Sequence, residues 1–126
     1  MGEERRLVAV ILEVSDLARS ADLYRDAFGL DLQPGDNQVE DRWTGGRHAE
    51  ISWRDGAYLH FALYPAKDRP TTGAQLSIRV DNIEGAHAQA VRAGARVLHE
   101  PRTEPWGQSG RYTDYDGNVI ELTQHE

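Results

Sequence analysis

The stretch Pro105-Trp106-Gly107-Gln108-Ser109-Gly110-Arg111-Tyr112-Thr113-Asp114-Tyr115-Asp116-Gly117-Asn118-Val119-Ile120-Glu121-Leu122 predicts a β-hairpin near the end of the chain. Its turn is Asp116-Gly117-Asn118, where glycine tolerates a positive φ and the polar side chains can hydrogen-bond the local backbone. After the turn the residues alternate, so Ile120 and Leu122 share one face of a strand. Glu121 is therefore predicted to point away from the apolar layer.

The same pattern of strand, helix and closing hairpin occurs twice. An apolar run from Leu7 to Val14 predicts a strand, and Ser15-Asp16 predicts the cap of a helix that ends at Gly29. The strand that begins at Gln75, with the helix that follows it, repeats this order. In this repeat Leu12 corresponds to Ile78 and Asp16 to Asn82. Neither half alone could bury both faces of its sheet, so the halves must pair within one chain or across a dimer.

Turn residues divide each half into further strands. Residues 48–54 and 58–64 read as two strands joined at Asp55-Gly56, and Pro34-Gly35-Asp36-Asn37 and Gly45-Gly46 predict turns around an edge strand at 38–44. The sequence thus predicts an α+β fold in which a βαβββ module is used twice. The predicted parts of this single domain, 1–126, are module one at about 7–64, a linker at about 65–73 and module two at about 74–124.

Composition narrows the classes of function. The net charge of −7 argues against nucleic acid as a partner, because phosphates require a basic surface, and it suits a cationic small molecule. No apolar run approaches the roughly 20 residues of a membrane span, and the charged start lacks the features of a secretory signal, so we expect a cytoplasmic protein without a membrane partner. The absence of cysteine excludes disulfides, thiolate metal sites and cysteine nucleophiles.

Two motifs together resemble the vicinal oxygen chelate superfamily, which joins glyoxalase I, bleomycin resistance proteins and extradiol dioxygenases. The resemblance spans about residues 7–124, and its motifs are Val14-Ser15-Asp16 with Ser20, Tyr24 and Gly29-Leu30, then Pro105-Trp106-Gly107 with Asp116 to Leu122. It implies two modules whose sheets curl into an open, U-shaped, barrel-like cleft, commonly completed in a homodimer. The superfamily contains enzymes and drug-binding proteins, so the fold alone selects no activity.

The resemblance also implies a possible metal site. Metal-dependent members hold an ion at four equivalent positions, which correspond here to Ala9, His60, Gln75 and Glu121. His60, Gln75 and Glu121 could bind a divalent ion such as Zn²⁺, Ni²⁺, Mn²⁺ or Fe²⁺. Alternatively, these three side chains hydrogen-bond to one another around Glu121 without any cofactor. The second reading is favoured because Ala9 supplies no donor.

Aromatic and charged side chains on several segments predict a ligand-binding cleft. Flat rings suit stacking on planar molecules and cations. Arg79 is predicted either to pair with Glu13 or to bind an anionic group of a ligand. The predicted ligand-binding residues are Glu13, Trp43, Trp53, Tyr58, His60, Gln75, Arg79, Trp106, Tyr112 and Glu121.

Three functions follow as hypotheses. The leading hypothesis is a small-molecule-binding protein without a cofactor, which sequesters an aromatic or cationic natural product in clefts shared by a homodimer and so gives antibiotic resistance. The alternative is a metal-dependent lyase, isomerase or dioxygenase, with Glu121 as its catalytic residue beside His60 and Gln75. The third is an accessory or interaction module that keeps the scaffold without either activity.

Overall fold

The computed structural model describes residues 3–36 and 47–125. Its elements in chain order are β1 (Ala9–Val14), α1 (Leu17–Phe28), β2 (Gln33–Asp36), β3 (Arg47–Trp53), β4 (Leu59–Pro65), β5 (Gln75–Arg79), α2 (Ile83–Arg92), β6 (Arg96–Glu104), β7 (Gly107–Thr113) and β8 (Val119–His125). The longer of these helices, α1, has 12 residues, and no helix in this part of the chain is both long and apolar enough to span a membrane.

The order of the elements confirms the predicted α+β fold of two βαβββ modules. Each module forms a four-stranded sheet, with strand orders β1-β4-β3-β2 and β5-β8-β7-β6. In each sheet the first strand runs parallel to the last, and the remaining neighbours are antiparallel. The described strands form two separate open sheets rather than a closed barrel, and the modules contact each other through α1 and α2.

The predicted caps fix the ends of the helices. Asp16 caps α1, since its side chain accepts a hydrogen bond from the Arg19 backbone N–H at 3.1 Å. Gly29 ends α1 in the left-handed conformation, with φ of 74°. Asn82 caps α2 in the same way as Asp16, by accepting from the Gly85 N–H at 3.2 Å. The same local signal therefore starts both helices.

Each sheet has one face against the helices and one face turned away from them. Along β1, Leu12 and Val14 are buried in the core, whereas Ile11 is 54% exposed. In the second module Ile120 and Leu122 are buried in the same way. We call the face turned away from the helices the outer face. Because side chains alternate along a strand, every second residue of these sheets belongs to it.

One predicted turn is instead a strand. Pro34 and Gly35 lie in β2, which pairs antiparallel with β3 at the edge of the first sheet. Proline is tolerated there because an edge strand has one unpaired side. A Cβ on Gly35 would lie 2.7 Å from His48 Nε2, so glycine allows the two strands to approach each other. The predicted edge strand at 38–44 lies outside the described residues.

A buried hydrogen-bond network joins the modules at the predicted turn. Asp114 Oδ2 accepts from the Tyr24 hydroxyl of α1 at 2.7 Å and from Asn118 Nδ2 at 2.8 Å. Asn118 Nδ2 also donates to the Thr71 carbonyl oxygen, and Thr71 Oγ1 accepts from the Glu13 N–H of β1. Burial and the neighbouring Asp114 carboxylate raise the pKa of Tyr24 well above its usual range, so the hydroxyl remains a donor.

Candidate ligand-binding site on the outer faces of the sheets

The outer face of the first sheet carries a group of side chains that we call the His–Glu cluster: His48, Glu50, Ser52, Tyr58 and His60. Strands β3 and β4 pair so that Ser52 lies directly opposite His60. Adjacent strands in a sheet are held about 5 Å apart, so the side chains of such a pair meet. Phe61 and Leu63, on the alternate positions of β4, are buried in the core as the alternation predicts.

Polar contacts run through the whole His–Glu cluster. Ser52 Oγ lies 2.7 Å from His60 Nδ1 and 3.5 Å from the Tyr58 hydroxyl oxygen. Glu50 Oε2 lies 2.9 Å from His48 Nε2 and 3.4 Å from His60 Nε2. The His48 ring also stacks on Tyr64, with centroids 4.9 Å apart and planes within 6° of parallel. The cluster thus places imidazoles, a carboxylate and an aromatic stack on one surface.

The outer face of the second sheet centres on Glu121, whose surroundings we call the Glu121 cluster. The two carboxylate oxygens of Glu121 accept hydrogen bonds from Ser77 Oγ at 2.6 Å and Ser109 Oγ at 2.7 Å. Arg111 Nη2 lies 3.8 Å from Oε2. Desolvation raises the pKa of Glu121, but the two hydroxyl hydrogen bonds and the charges of Arg111 and His99 together lower it below the usual range. Glu121 is therefore a fixed anion at neutral pH.

Comparison with known proteins assigns the chain to a family. A family model described as the Glyoxalase/Bleomycin resistance protein/Dioxygenase superfamily matches residues 6–122. The chain belongs to this superfamily. No curated protein sequence matches the chain.

Solved structures of the superfamily share the fold over nearly the whole chain. TnmS3, an antibiotic binding protein from Streptomyces sp. CB03234, is 26% identical over all of both chains, with a TM-score of 0.76. A glyoxalase/bleomycin resistance protein from the same organism is 27% identical over 94% of this chain and 100% of its own, with a TM-score of 0.70. A superfamily member from Sphaerobacter thermophilus DSM 20745 is 24% identical, with coverage of 97% and 98% and a TM-score of 0.70.

The strand register separates the residues for which the superfamily resemblance implied a metal site. Gln75 lies opposite Val119, whereas Glu121 lies opposite Ser77. Leu12 pairs with Leu63 and its repeat equivalent Ile78 pairs with Leu122, so Leu63 corresponds to Leu122. A count from Gly56 and Gly117 instead matches Leu63 with Gln124, two residues further along. Gly56 is the third residue of its five-residue connection and Gly117 is the fourth of its own, so a count from these glycines gives positions that are not equivalent in space.

These side chains do not fit a metal ion as they are arranged. His60 belongs to the cluster on the first sheet and Glu121 to the cluster on the second, and both oxygens of Glu121 already accept from serine. Ala9, which pairs with His60, offers no donor. Within residues 3–36 and 47–125, no group of three or more histidine, aspartate or glutamate side chains is arranged to hold a metal.

The predicted aromatic residues fall in three different environments. Tyr58 lies on the outer face, with the Arg54 guanidinium 4.9 Å from its ring centre, and Trp106 is exposed at the β6–β7 turn. Trp53 instead takes the helix side of β3 and lines an apolar cavity of about 570 Å³ between the two modules. Trp43 lies outside the described residues. The described aromatic residues therefore do not line one continuous cleft.

Tyr112 was predicted at the cleft, and this placement is wrong. It is fully buried on the helix side of β7, where its hydroxyl lies 2.7 Å from His87 Nδ1. Burial, with the charges of Glu100 and Glu84, raises the pKa of Tyr112 to about 12. The alternation of β7 explains the position, because Ser109 and Arg111 take the outer face and Tyr112 must take the other.

The two charged residues predicted to pair with each other do not do so. Glu13 lies in β1 of the first sheet and Arg79 in β5 of the second, and no ion pair joins these two described side chains. Both are exposed. Arg79 therefore keeps its predicted second role, binding of an anionic ligand group, as a hypothesis.

The sequence did not reveal most of the side chains that surround His60 and Glu121. On the first sheet these are His48, Glu50 and Ser52, and on the second they are Ser77, Ser109 and Arg111. A signal for the first group exists in the sequence, because the stretch from His48 to Ser52 alternates polar and apolar residues with the period of a strand. That pattern does not show which strand pairs with β3.

Proposed function

We propose that the protein binds an aromatic or cationic small molecule, of the type represented by antibiotic natural products, on the outer faces of its sheets. The observation that carries this proposal is that each outer face has an ordered polar cluster in which buried anchoring groups lie beside exposed ones. Tyr58, at one end of the His–Glu cluster, is 39% exposed, and the side chains of Glu50 and Arg111 are 40% and 39% exposed. Ligand-binding sites combine aromatic surface with a small number of polar groups held in fixed positions.

The chemistry of the two clusters favours a planar or positively charged ligand. The Tyr58 and Tyr64 rings offer flat surfaces for an aromatic system, and the buried His48 ring supports Tyr64 by stacking on one of its faces. Glu121, with its lowered pKa, supplies a permanent negative charge, and the chain as a whole carries −7. The net charge attracts a cation over a distance, and Glu121 adds a local negative charge that Arg111, 3.8 Å away, partly offsets.

A relative with a stated ligand class supports the proposal. TnmS3 is described as an antibiotic binding protein, and it aligns with this chain over the full length of both at 26% identity. We propose that this chain serves the same broad purpose and sequesters its ligand, which would protect a cell from a toxic natural product. No cofactor enters this proposal.

We further propose that two copies of the chain complete the binding cleft. Leu7 is 74% exposed and Ile11 is 54% exposed, on and beside the edge strand β1. Exposed apolar side chains next to an unpaired strand edge are a common feature of protein interfaces. A second copy would cover this edge and would place its own outer faces beside those of the first.

The metal-dependent alternative receives less support. His60, Gln75 and Glu121 do not converge within the chain, and their polar atoms have other partners or different positions along the strands. A lyase, isomerase or dioxygenase that uses these three residues would need a rearrangement of both clusters. We therefore propose binding without a metal as the function.

Titration of tryptophan fluorescence with two planar probes tests the proposal. Proflavine is a planar cation and acridone is an uncharged planar analogue, and we expect both to bind with saturation. The variant Glu121→Gln should weaken proflavine about fivefold, the effect of losing roughly 1 kcal/mol of attraction between unit charges, and leave acridone unchanged. The control Glu84→Gln makes the same change of charge on α2, away from the outer faces.

Two results would contradict the binding proposal. One is the absence of saturable binding of either probe by the purified protein. The other is an equal loss of proflavine affinity in both variants, since this would reduce the effect to overall charge. Light scattering with size-exclusion chromatography tests the dimer, and metal analysis of protein purified without a histidine tag tests the cofactor.

A further inference from the structure

We propose that Ser52, His60 and Glu50 form an acyl-transfer site on the outer face of the first sheet, with Ser52 as the nucleophile towards small carboxylic esters. This activity goes beyond binding, although it uses the same face. The arrangement has the three parts required of an activated serine: a hydroxyl, an imidazole base within hydrogen-bonding distance, and a third group beside the far nitrogen of that imidazole.

The tautomer of His60 follows from its neighbours. Glu50 Oε2 lies close to the Nε2 atoms of both His48 and His60, at 2.9 and 3.4 Å. The contact with His60 is electrostatic, and the negative charge of Glu50 beside Nε2 favours the tautomer of a neutral His60 that carries its proton on that nitrogen. Its Nδ1 is then a bare lone pair, 2.7 Å from Ser52 Oγ. In this tautomer the serine hydroxyl donates to His60, which is the orientation required of a general base.

Position in the sheet makes this geometry rigid. Ser52 and His60 face each other across the pairing of β3 and β4, the two central strands of the first sheet. Glu50 is held on β3 by His48, whose ring is buried and stacked on Tyr64. Rigid strands hold catalytic groups more accurately than loops do, so little reorganisation is needed for the proton transfer.

The chain also contains two serines without such a base. Ser77 and Ser109 each donate to a carboxylate oxygen of Glu121. A serine proton held by a carboxylate of lowered pKa is not easily removed, since that carboxylate is a weak base. Ser52 differs from both because its hydrogen-bond partner is an imidazole.

The proposed reaction balances with water as the only co-reactant. Ser52 Oγ forms a bond to the ester carbonyl carbon while its proton passes to His60 Nδ1. The resulting imidazolium is stabilised by Glu50, and the Tyr58 hydroxyl, 3.5 Å from Oγ, is placed to donate to the developing oxyanion. The bond to the alcohol then breaks as His60 returns the proton to the leaving oxygen. Water, activated by His60, releases the acid and restores Ser52.

Reaction with a fluorophosphonate probe tests the nucleophile directly. The probe forms an Oγ–P bond and loses fluoride, so each labelled protein gains a fixed mass that peptide analysis assigns to one residue. We expect labelling at Ser52, none in Ser52→Ala, and a rate reduced by about 10² to 10⁴ in His60→Gln. The control Ser15→Ala removes an exposed serine outside the outer face and should leave the rate unchanged.

Glu50 acts through His60 and is a positioning residue, so it needs a different readout. We expect Glu50→Gln to slow labelling more than Glu50→Asp, because aspartate retains the carboxylate that fixes the tautomer. A purely structural role would affect both variants according to their stability rather than their charge. Thermal unfolding of each variant provides the stability scale.

The outcomes separate this proposal from the binding proposal. Absence of labelling at Ser52, in protein that still binds proflavine, would overturn the acyl-transfer site alone. Labelling that His60→Gln leaves unchanged would overturn it as well, since the hydroxyl would then react without its base. Labelling at Ser52 in protein that binds neither planar probe would support acyl transfer and remove the proposed binding function.

Discussion

Replacement of Tyr24 by phenylalanine removes one oxygen from the network that joins the two modules. The Tyr24 hydroxyl donates to Asp114 Oδ2 at 2.7 Å, and the contact is buried. The aromatic ring itself packs against Phe28 and Phe61, with centroids 5.5 and 5.8 Å away. Phenylalanine keeps both ring contacts, so the change isolates the hydrogen bond.

The expected loss of stability depends on the hydrogen bonds that Asp114 retains in the variant. A hydrogen bond to a charged group contributes about 1.5–3 kcal/mol, and more is lost when a buried charge has no other partner. Asp114 retains Asn118 Nδ2 on the same oxygen and the backbone N–H groups of Asp116 and Asn118 on the other. We therefore expect a loss of about 2 kcal/mol in the free energy of unfolding, near the middle of that range.

Urea unfolding, followed by tryptophan fluorescence and circular dichroism, measures this loss. With a slope of about 2 kcal/mol per molar, the midpoint should fall by about 1 M. The control Tyr115→Phe removes a hydroxyl from a residue that is 42% exposed and keeps the ring on which Arg19 stacks. It should change stability by less than about 0.5 kcal/mol. Equal effects of the two substitutions would refute the stabilising role of the buried network.

Two further predictions concern the second module. Gly107→Ala should destabilise the protein by more than about 1 kcal/mol in the same urea assay, because φ is 142° and a Cβ would overlap the Gln124 carbonyl oxygen; unchanged stability would contradict this local geometry. The lowered pKa of Glu121 means that its stabilisation is present above the ordinary value of 4.5 and is lost as pH falls through the lower folded value. Glu121→Gln should therefore flatten the acid side of the stability curve, and an unchanged acid slope would contradict the assignment.

The helices and their ends were predictable because their signals are local. Asp16 and Asn82 cap the helices within one turn of their own positions, and Gly29 takes the left-handed conformation that glycine favours. The alternation that placed Glu121 on one face of β8 and its neighbours Ile120 and Leu122 on the other face is equally local. The repeat of these signals was sufficient to predict two βαβββ modules.

The candidate site was predicted only in part because it depends on pairing between strands. The sequence placed Glu121 on the polar side of its strand, but the register decided the neighbours of both Glu121 and His60. Gln75 lies two residues from the position where it would face Glu121, and Ser77 takes that place. Tyr112 shows the same dependence, since its burial under α2 follows from the alternation of β7 and not from its residue type.

The sequence by itself determined the two helices, the repeated order of the modules and the face of β8 that carries Glu121, because turns, caps and alternation act over a few residues. Only the tertiary structure decided which polar side chains meet, because a shift of two residues along a strand moves a side chain by about 7 Å without changing its face. Glu121 was predicted as a metal ligand or as the centre of a group with His60 and Gln75. In the folded chain it is an anion held by Ser77 and Ser109, and His60 lies in a separate cluster with Ser52 and Glu50.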